Sequence, residues 1–194
     1  MLVKEIIALV LGYLLGSIPS AYIAARVVRG KDIRQMGGGN VGGLNTIREV
    51  GVKAGIAVTI ADISKGAAAV AIAYWLLGVP QLFVMLTGLA AVIGHMWMAF
   101  LKFSGGKGMG TTFGALAVLM PIYGYWYAYL ILLAVVAIPS IITHNVALSM
   151  GIGLIFLPLI TWLITKSELA TILTIVLGVL IAINFFPNRQ GGLG

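Results

Sequence analysis

Residues 122–165 read IYGYWYAYLILLAVVAIPSIITHNVALSMGIGLIFLPLITWLIT and contain no Asp, Glu, Lys or Arg. Pro139 and Thr143-His144-Asn145 divide this segment into two apolar stretches, 122–140 and 145–165, because turn residues interrupt the pattern there. Each is close to the roughly 20 residues that a helix needs to cross about 30 Å of hydrocarbon. Outward from this segment, further apolar stretches lie near 6–28, 53–78, 81–101, 108–120 and 169–186, separated by breaks such as Gly78-Val79-Pro80 and Pro121. The expected fold is all-α: a polytopic transmembrane helix bundle of about seven spans in one domain, residues 1–194. The stretch 108–120 is too short to cross at 1.5 Å per residue unless it is extended or tilted, so six spans plus a half-helix is the alternative.

Composition agrees. Of the 194 residues 61% are hydrophobic and 9% charged, against roughly 25% charged in an ordinary soluble domain. The net charge of +7 therefore reads as membrane topology and anionic ligands, which excludes a soluble nucleic-acid reader. The first apolar stretch is too long for the core of a signal peptide and is expected to stay as a span. The absence of Cys rules out disulfides and thiol chemistry. No His/Asp/Glu cluster has metal-ligand spacing, so neither metal nor cofactor is expected. With seven spans, Arg26, Arg29, Lys31, Arg34, Arg48, Lys53, Lys102, Lys107 and Arg189 fall on one side, against Lys4 and Lys166 on the other. The positive-inside rule then places the N-terminus outside. Gly12, Gly16, Ser20 and Ala24 recur every fourth residue, as do Gly110 and Gly114, a spacing that permits close helix contact in lipid.

Two glycine-rich segments carry the chemistry. The first lies in the long polar loop Arg29–Val52, where Gly37, Gly38, Gly39, Asn40, Gly42 and Gly43 expose backbone N–H groups and Arg34 and Arg48 add charge. It reads as an anion-binding nest. Gly37-x-Gly39-x-x-Gly42 matches a dinucleotide fingerprint only formally, since no strand precedes it. The second, Ser104-Gly105-Gly106-Lys107-Gly108-Met109-Gly110-Thr111-Thr112, directly precedes an apolar helix. Free N–H groups and the positive end of the helix dipole converge at such a junction and bind phosphate. Leu101 stands where a Walker loop needs its first Gly and Gly108 follows the Lys, so a nucleotide triphosphatase is not indicated.

Asp62 and Lys65 share one helix face within the second span, where ionisable groups are costly unless paired or facing a polar cavity. His95 precedes the second glycine segment by one or two turns and is placed to hydrogen-bond the loop or a substrate. His144 reads as structural, and Trp75, Trp97, Trp126, Trp162 and the Tyr123–Tyr129 cluster as interfacial aromatics.

In order along the chain stand Gly-Ser-Ile-Pro at 16–19, Lys-Asp-Ile-Arg at 31–34, Gly-Gly-Gly-Asn-Val-Gly-Gly-Leu-Asn at 37–45 with Arg48, Asp-x-x-Lys-Gly at 62–66, Gly-His at 94–95 and Ser-Gly-Gly-Lys-Gly-Met-Gly-Thr at 104–111. This series resembles the PlsY family, bacterial acyl-phosphate-dependent glycerol-3-phosphate acyltransferases, over roughly residues 10–115. The resemblance implies transfer of a fatty acyl group from acyl phosphate to the 1-hydroxyl of glycerol 3-phosphate, giving lysophosphatidic acid and phosphate. It also implies a multi-pass enzyme of the bacterial plasma (inner) membrane with its site facing the cytoplasm and membrane lipid around it. Lys107, His95 and Asn188 are then the catalytic candidates. Arg34, Gly38, Gly39, Asn40, Asn45, Arg48, Gly105, Gly106, Gly108 and Thr111 are the phosphate-binding candidates, with Asp62 and Lys65 in support. The chain departs from the family pattern where Gly38, Gly43 and Leu44 replace Ser, Ala and Thr, Met98 replaces Pro and Ser104 replaces Lys. In the third motif Phe185 stands at the His position, only Asn188 is kept, and the sequence to Gly194 lacks the expected Glu. The alternatives are an acyl-phosphate-dependent enzyme with another acceptor and a membrane carrier for a phosphorylated metabolite.

Overall fold

The computed structural model describes residues 2–185, and its regular elements are helical. The backbone gathers into two compact units, Met1–Leu130 and Ile131–Gly194.

The first unit contains α1 (Leu2–Gly16), α2 (Ser20–Arg29), α3 (Gly43–Glu49), α4 (Val52–Ala71, continued by a π-turn over Ile72–Leu76), α5 (Gln81–Met96) and α6 (Met109–Ile122). The first apolar stretch is thus one span built from two helices and not one continuous helix. Pro19 lacks an N–H and disfavours helical backbone at the residue before it, so the chain breaks at Ser17-Ile18-Pro19. Helix α2 buries Ala21 and Ala25, exposes Arg26 and Arg29, and ends on Gly30 at φ 67°.

Small residues set the helix contacts. A Cβ on Gly16 would run into the Ala91 carbonyl and one on Gly94 into the Tyr13 carbonyl, so α1 and α5 touch backbone to backbone. Gly66 stands likewise against the Thr111 carbonyl and Gly114 against the Ile63 carbonyl, which joins α4 to α6. Lipid supplies no hydrophobic drive between helices, and close packing of this kind takes its place. Ser20 lies beyond the break and serves a different purpose, described below.

The long polar loop is more ordered than a connector. Asp32 caps a 3-10 turn at Ile33–Gln35 by accepting from the Arg34 N–H at 3.0 Å, and α3 follows. Ile33, Val41, Val50, Ala21, Ala25, Val58, Met98 and Leu101 form one buried cluster, which holds the loop against α2, α4 and the turn after α5.

The second unit is built from α8 (Val146–Thr165) and α9 (Glu168–Phe185), with residues from α7 (Trp126–Thr143). The Asn145 side chain caps α8 by accepting from the Leu148 N–H at 3.1 Å, and Ser167 caps α9 by accepting from Ala170 at 3.2 Å. Gly153 gives room to Val136, and Leu157, Ile160, Leu177 and Ile181 are buried. Pro139, expected to end a helix, lies inside α7. Membrane helices tolerate an internal proline, and the Thr143 hydroxyl donates to the Pro139 carbonyl at 2.7 Å one turn further on.

Leu2–Arg29, Val52–Leu76, Trp126–Thr143 and Val146–Thr165 are long and apolar enough to cross a membrane, while α5, α6 and α9 are shorter apolar helices. With 16 and 14 residues, α5 and α6 extend over about 24 and 21 Å. The chain is an all-α membrane protein with four long apolar spans among the described residues.

Candidate active site

Asp62 and Lys65 form a buried ion pair on α4 with Nζ 2.9 Å from Oδ1. Both ends are used again at the α1–α2 break. Lys65 Nζ donates to the Ile18 carbonyl at 3.1 Å, and the Ser20 hydroxyl donates to Asp62 Oδ1, also at 3.1 Å. At the break the Ile18 carbonyl accepts from the Ser20 N–H at 3.0 Å as well as from the lysine. Ser17, just upstream, donates to the Gly94 carbonyl and accepts from the Ala99 N–H, both at 3.3 Å.

His95 closes the last turn of α5 and is only 3% exposed. Its Nδ1 lies 3.6 Å from Asp62 Oδ1, just outside hydrogen-bond reach, and has no hydrogen-bond partner among the described residues. Its carbonyl accepts the Gly106 N–H at 3.0 Å, and its Nε2 occupies the place a Gly106 side chain would need. Gly105 is pressed in the same way against the His95 and Met96 carbonyls. No other residue type fits at 105 or 106 without moving backbone. Gly108 then turns the chain into α6 with φ 79°. Thr111 and Thr112, in the first turn of α6, bury hydroxyls without hydrogen-bond partners among the described residues. Lys107 is half-buried, and the loss of water around it pushes its ammonium below the ordinary value of 10.5.

The first glycine segment is shaped by Asn45, whose buried amide donates to the Met36 and Asn40 carbonyls at 3.1 and 3.0 Å. Gly37 and Gly39 take φ 54° and 68°, a region that favours glycine. Gly38 and Arg48 are exposed, and Asn40 is half-buried. Arg34 has its guanidinium engaged: it pairs with Asp32 at 2.7 Å and donates to the Leu101 carbonyl at 3.2 Å. That partner holds the Asp32 carboxyl below its ordinary range. Arg34 therefore braces the loop against the turn after α5.

The two segments meet. The space beside the Gly106 Cα is closed by the Val41 carbonyl as well as by His95, which sets residues 39–42 against residues 105–107. The expected residues Asp62, Lys65, His95, Gly105, Gly106, Gly108 and Thr111 thus form one contiguous assembly that the Gly39–Gly42 segment touches. Asn188 lies outside the described residues. Sequence reading missed Ser17, Ser20 and the Ile18 and Val41 carbonyls. Pro19 inside an apolar run was the available signal for the first three, whereas Val41 carried none.

The second loop leads into the positive end of α6 and carries the half-buried Lys107, while Arg48 on α3 is exposed.

The family model described as glycerol-3-phosphate acyltransferase matches residues 6–191. Glycerol-3-phosphate acyltransferase 1 of Dehalococcoides mccartyi is 54% identical over 186 residues, covering 96% of this chain and 89% of the relative. The glycerol-3-phosphate acyltransferase of Bacillus velezensis is 42% identical over 140 residues, covering 70% of this chain and 72% of the relative. Among solved structures, the glycerol 3-phosphate form of PlsY (YgiH), an integral membrane glycerol 3-phosphate acyltransferase, superposes with a TM-score of 0.83 at 30% identity, covering 93% of this chain and 87% of that one. The lysophosphatidic acid form of that protein gives 0.78 at 29% identity and the same coverage.

Proposed function

The chain belongs to the glycerol-3-phosphate acyltransferase family, and on that premise we propose how its two glycine loops divide the reaction. It is a membrane acyltransferase that acylates glycerol 3-phosphate to lysophosphatidic acid, which replaces the carrier alternative. The donor is an acyl phosphate. Its phosphate sits on Gly105–Gly108 at the start of α6 with Lys107. The phosphate of glycerol 3-phosphate sits on the first loop, among Gly38, Gly39, Asn40 and Arg48. The 1-hydroxyl oxygen attacks the acyl carbonyl carbon, a C–O ester bond forms, and the bond from that carbon to the phosphate oxygen breaks. Phosphate leaves with the electron pair and takes up the hydroxyl proton. Because phosphate is a good leaving group, placing the reactants and stabilising charge carry the catalysis. Asp62, Lys65 and His95 act through the loop they support.

The observation that carries this reading is the contact of the Val41 carbonyl with Gly106, which sets the two anion loops side by side. Seven spans, one domain over 1–194 and a site on the cytoplasmic face of a bacterial plasma membrane complete the proposal. The basic residues of the polar loop and of the second glycine segment support that orientation. The test is to give the purified protein in lipid nanodiscs palmitoyl phosphate and glycerol 3-phosphate and to measure lysophosphatidic acid and released phosphate. Stoichiometric formation of both, with no turnover of palmitoyl-CoA, is expected. Equal turnover of palmitoyl-CoA overturns the donor assignment.

A further inference from the structure

Between α5 and the second glycine loop the chain folds into a tight knuckle. Met98 and Ser104 pair as an isolated antiparallel bridge, and the Met98 carbonyl accepts from Leu101 at 3.1 Å and from Phe103 at 2.9 Å. Lys102 and Phe103 are both left-handed, at φ 54° and 59°, although neither is glycine. Met98 and Leu101 point into the core, and Arg34 clamps the Leu101 carbonyl. The knuckle is therefore braced from within.

Its outer side is apolar. Phe100 is 61% exposed and Phe103 66% exposed, with exposed Lys102 between them. One exposed apolar residue needs no explanation. Two large rings held outward by a strained, cross-braced turn do. The Tyr13 hydroxyl donates to the Trp97 carbonyl at 2.9 Å, which places the knuckle at the end of α1, where Leu11, Leu14 and Ile18 face outward. The knuckle thus follows directly on a residue held by α1, within the apolar stretch Leu2–Arg29 that is long enough to cross a membrane. Aromatic rings flanking a lysine suit the boundary of a leaflet, with the rings among acyl chains and the ammonium reaching up to lipid phosphates.

We propose that residues 98–104 are a membrane-interface anchor whose occupant is the lipid leaflet. Phe100 and Phe103 insert into it, and Lys102 holds the headgroup level. The anchor fixes the following loop, Ser104–Gly108, at the depth where a long-chain donor keeps its tail in lipid while its phosphate reaches Lys107. This second step rests on the acyl-phosphate reading above. The anchor itself does not.

The test uses the full chain in phosphatidylethanolamine–phosphatidylglycerol vesicles. A nitroxide on Phe103→Cys, in a chain without other cysteines, should collide with oxygen more often than with a water-soluble nickel chelate. The Phe100→Ser/Phe103→Ser variant should lose at least tenfold in kcat/KM for palmitoyl phosphate and stay within twofold of the parent for water-soluble butyryl phosphate. Phe100→Leu/Phe103→Leu should restore palmitoyl phosphate turnover. A label open to nickel places the knuckle in water and overturns the anchor, and a label shielded from both reagents means a protein contact and overturns it too. Equal loss of both donors, or loss of neither, overturns the role in presenting the donor. If the parent turns over neither donor, the donor assignment fails on its own while the collision data still decide the anchor.

Discussion

A Cβ on Gly38 would meet nothing within 4 Å, whereas one on Gly43 would collide with the Thr59 hydroxyl. Of two positions where this chain departs from its family's pattern, only the first is therefore free to revert. Gly38→Ser adds a hydroxyl donor beside the proposed glycerol phosphate site at no backbone cost, because φ at Gly38 is not left-handed. One added hydrogen bond is worth about 0.5–1.5 kcal/mol. The KM for glycerol 3-phosphate should fall severalfold with kcat little changed, and an unchanged KM would move the phosphate away from Gly38. At Lys107 the sign follows from its surroundings. Partial loss of hydration lowers its pKa from 10.5, so its charge, and with it phosphate binding, is lost on the alkaline side earlier than for a solvated lysine. The KM for acyl phosphate should rise as the pH climbs toward 10, and Lys107→Arg should flatten that rise because guanidinium keeps its proton. Parallel pH profiles for the two proteins would show that the ammonium does not meet the donor.

Helix α4 holds the α1–α2 break through one buried ion pair, so removing half of that pair should cost more than removing all of it. Asp62→Ala leaves Lys65 buried with no counter-charge, a loss of about 3–5 kcal/mol. The double variant Asp62→Ala/Lys65→Met buries no charge and should unfold at a clearly higher temperature than Asp62→Ala in the same detergent. The reverse order would mean that Lys65 finds another partner or water. Half of this arrangement was legible in the sequence. The spacing of Asp62 and Lys65 along a helix displays the pair directly, but Ser20, 42 residues from Asp62, joins it only through the packing of α2 on α4. Hydropathy located the apolar helices because lipid demands them. It could not show the break at 17–19, since Ser17, Ile18 and Pro19 leave the apolar run unbroken on a sliding scale, nor α3, whose seven residues are hidden in a polar, glycine-rich context. The glycine loops were legible as segments because their composition is local. Their meeting at Val41 and Gly106 was not, because it depends on how α3, α4 and α5 pack.

For the whole molecule, span number and chemistry are tied by parity. Helices α5 and α6, about 24 and 21 Å long, fall short of about 30 Å of hydrocarbon, so each must borrow length from its flanking residues or thin the bilayer around it. If both cross, the chain makes seven passes, and the residues after α9 emerge on the side that carries Arg29, Lys31, Arg48, Lys102 and Lys107. If α6 only dips into the membrane, the passes number six and the end emerges on the opposite side. Asn188, the one residue kept from the family's third motif, can serve the phosphate loops only in the first case. A cysteine at Gln190, in a chain that has none of its own, separates the two. In sealed inside-out vesicles it should react with a membrane-impermeant maleimide, and in right-side-out vesicles only after permeabilisation. Asn188→Ala should then lower kcat. Reaction in right-side-out vesicles before permeabilisation would establish an even number of spans and detach Asn188 from the chemistry. Labelling on the expected face together with an unchanged kcat in Asn188→Ala would keep the seven-span topology and leave the two glycine loops with Lys107 and Arg48 to carry the reaction.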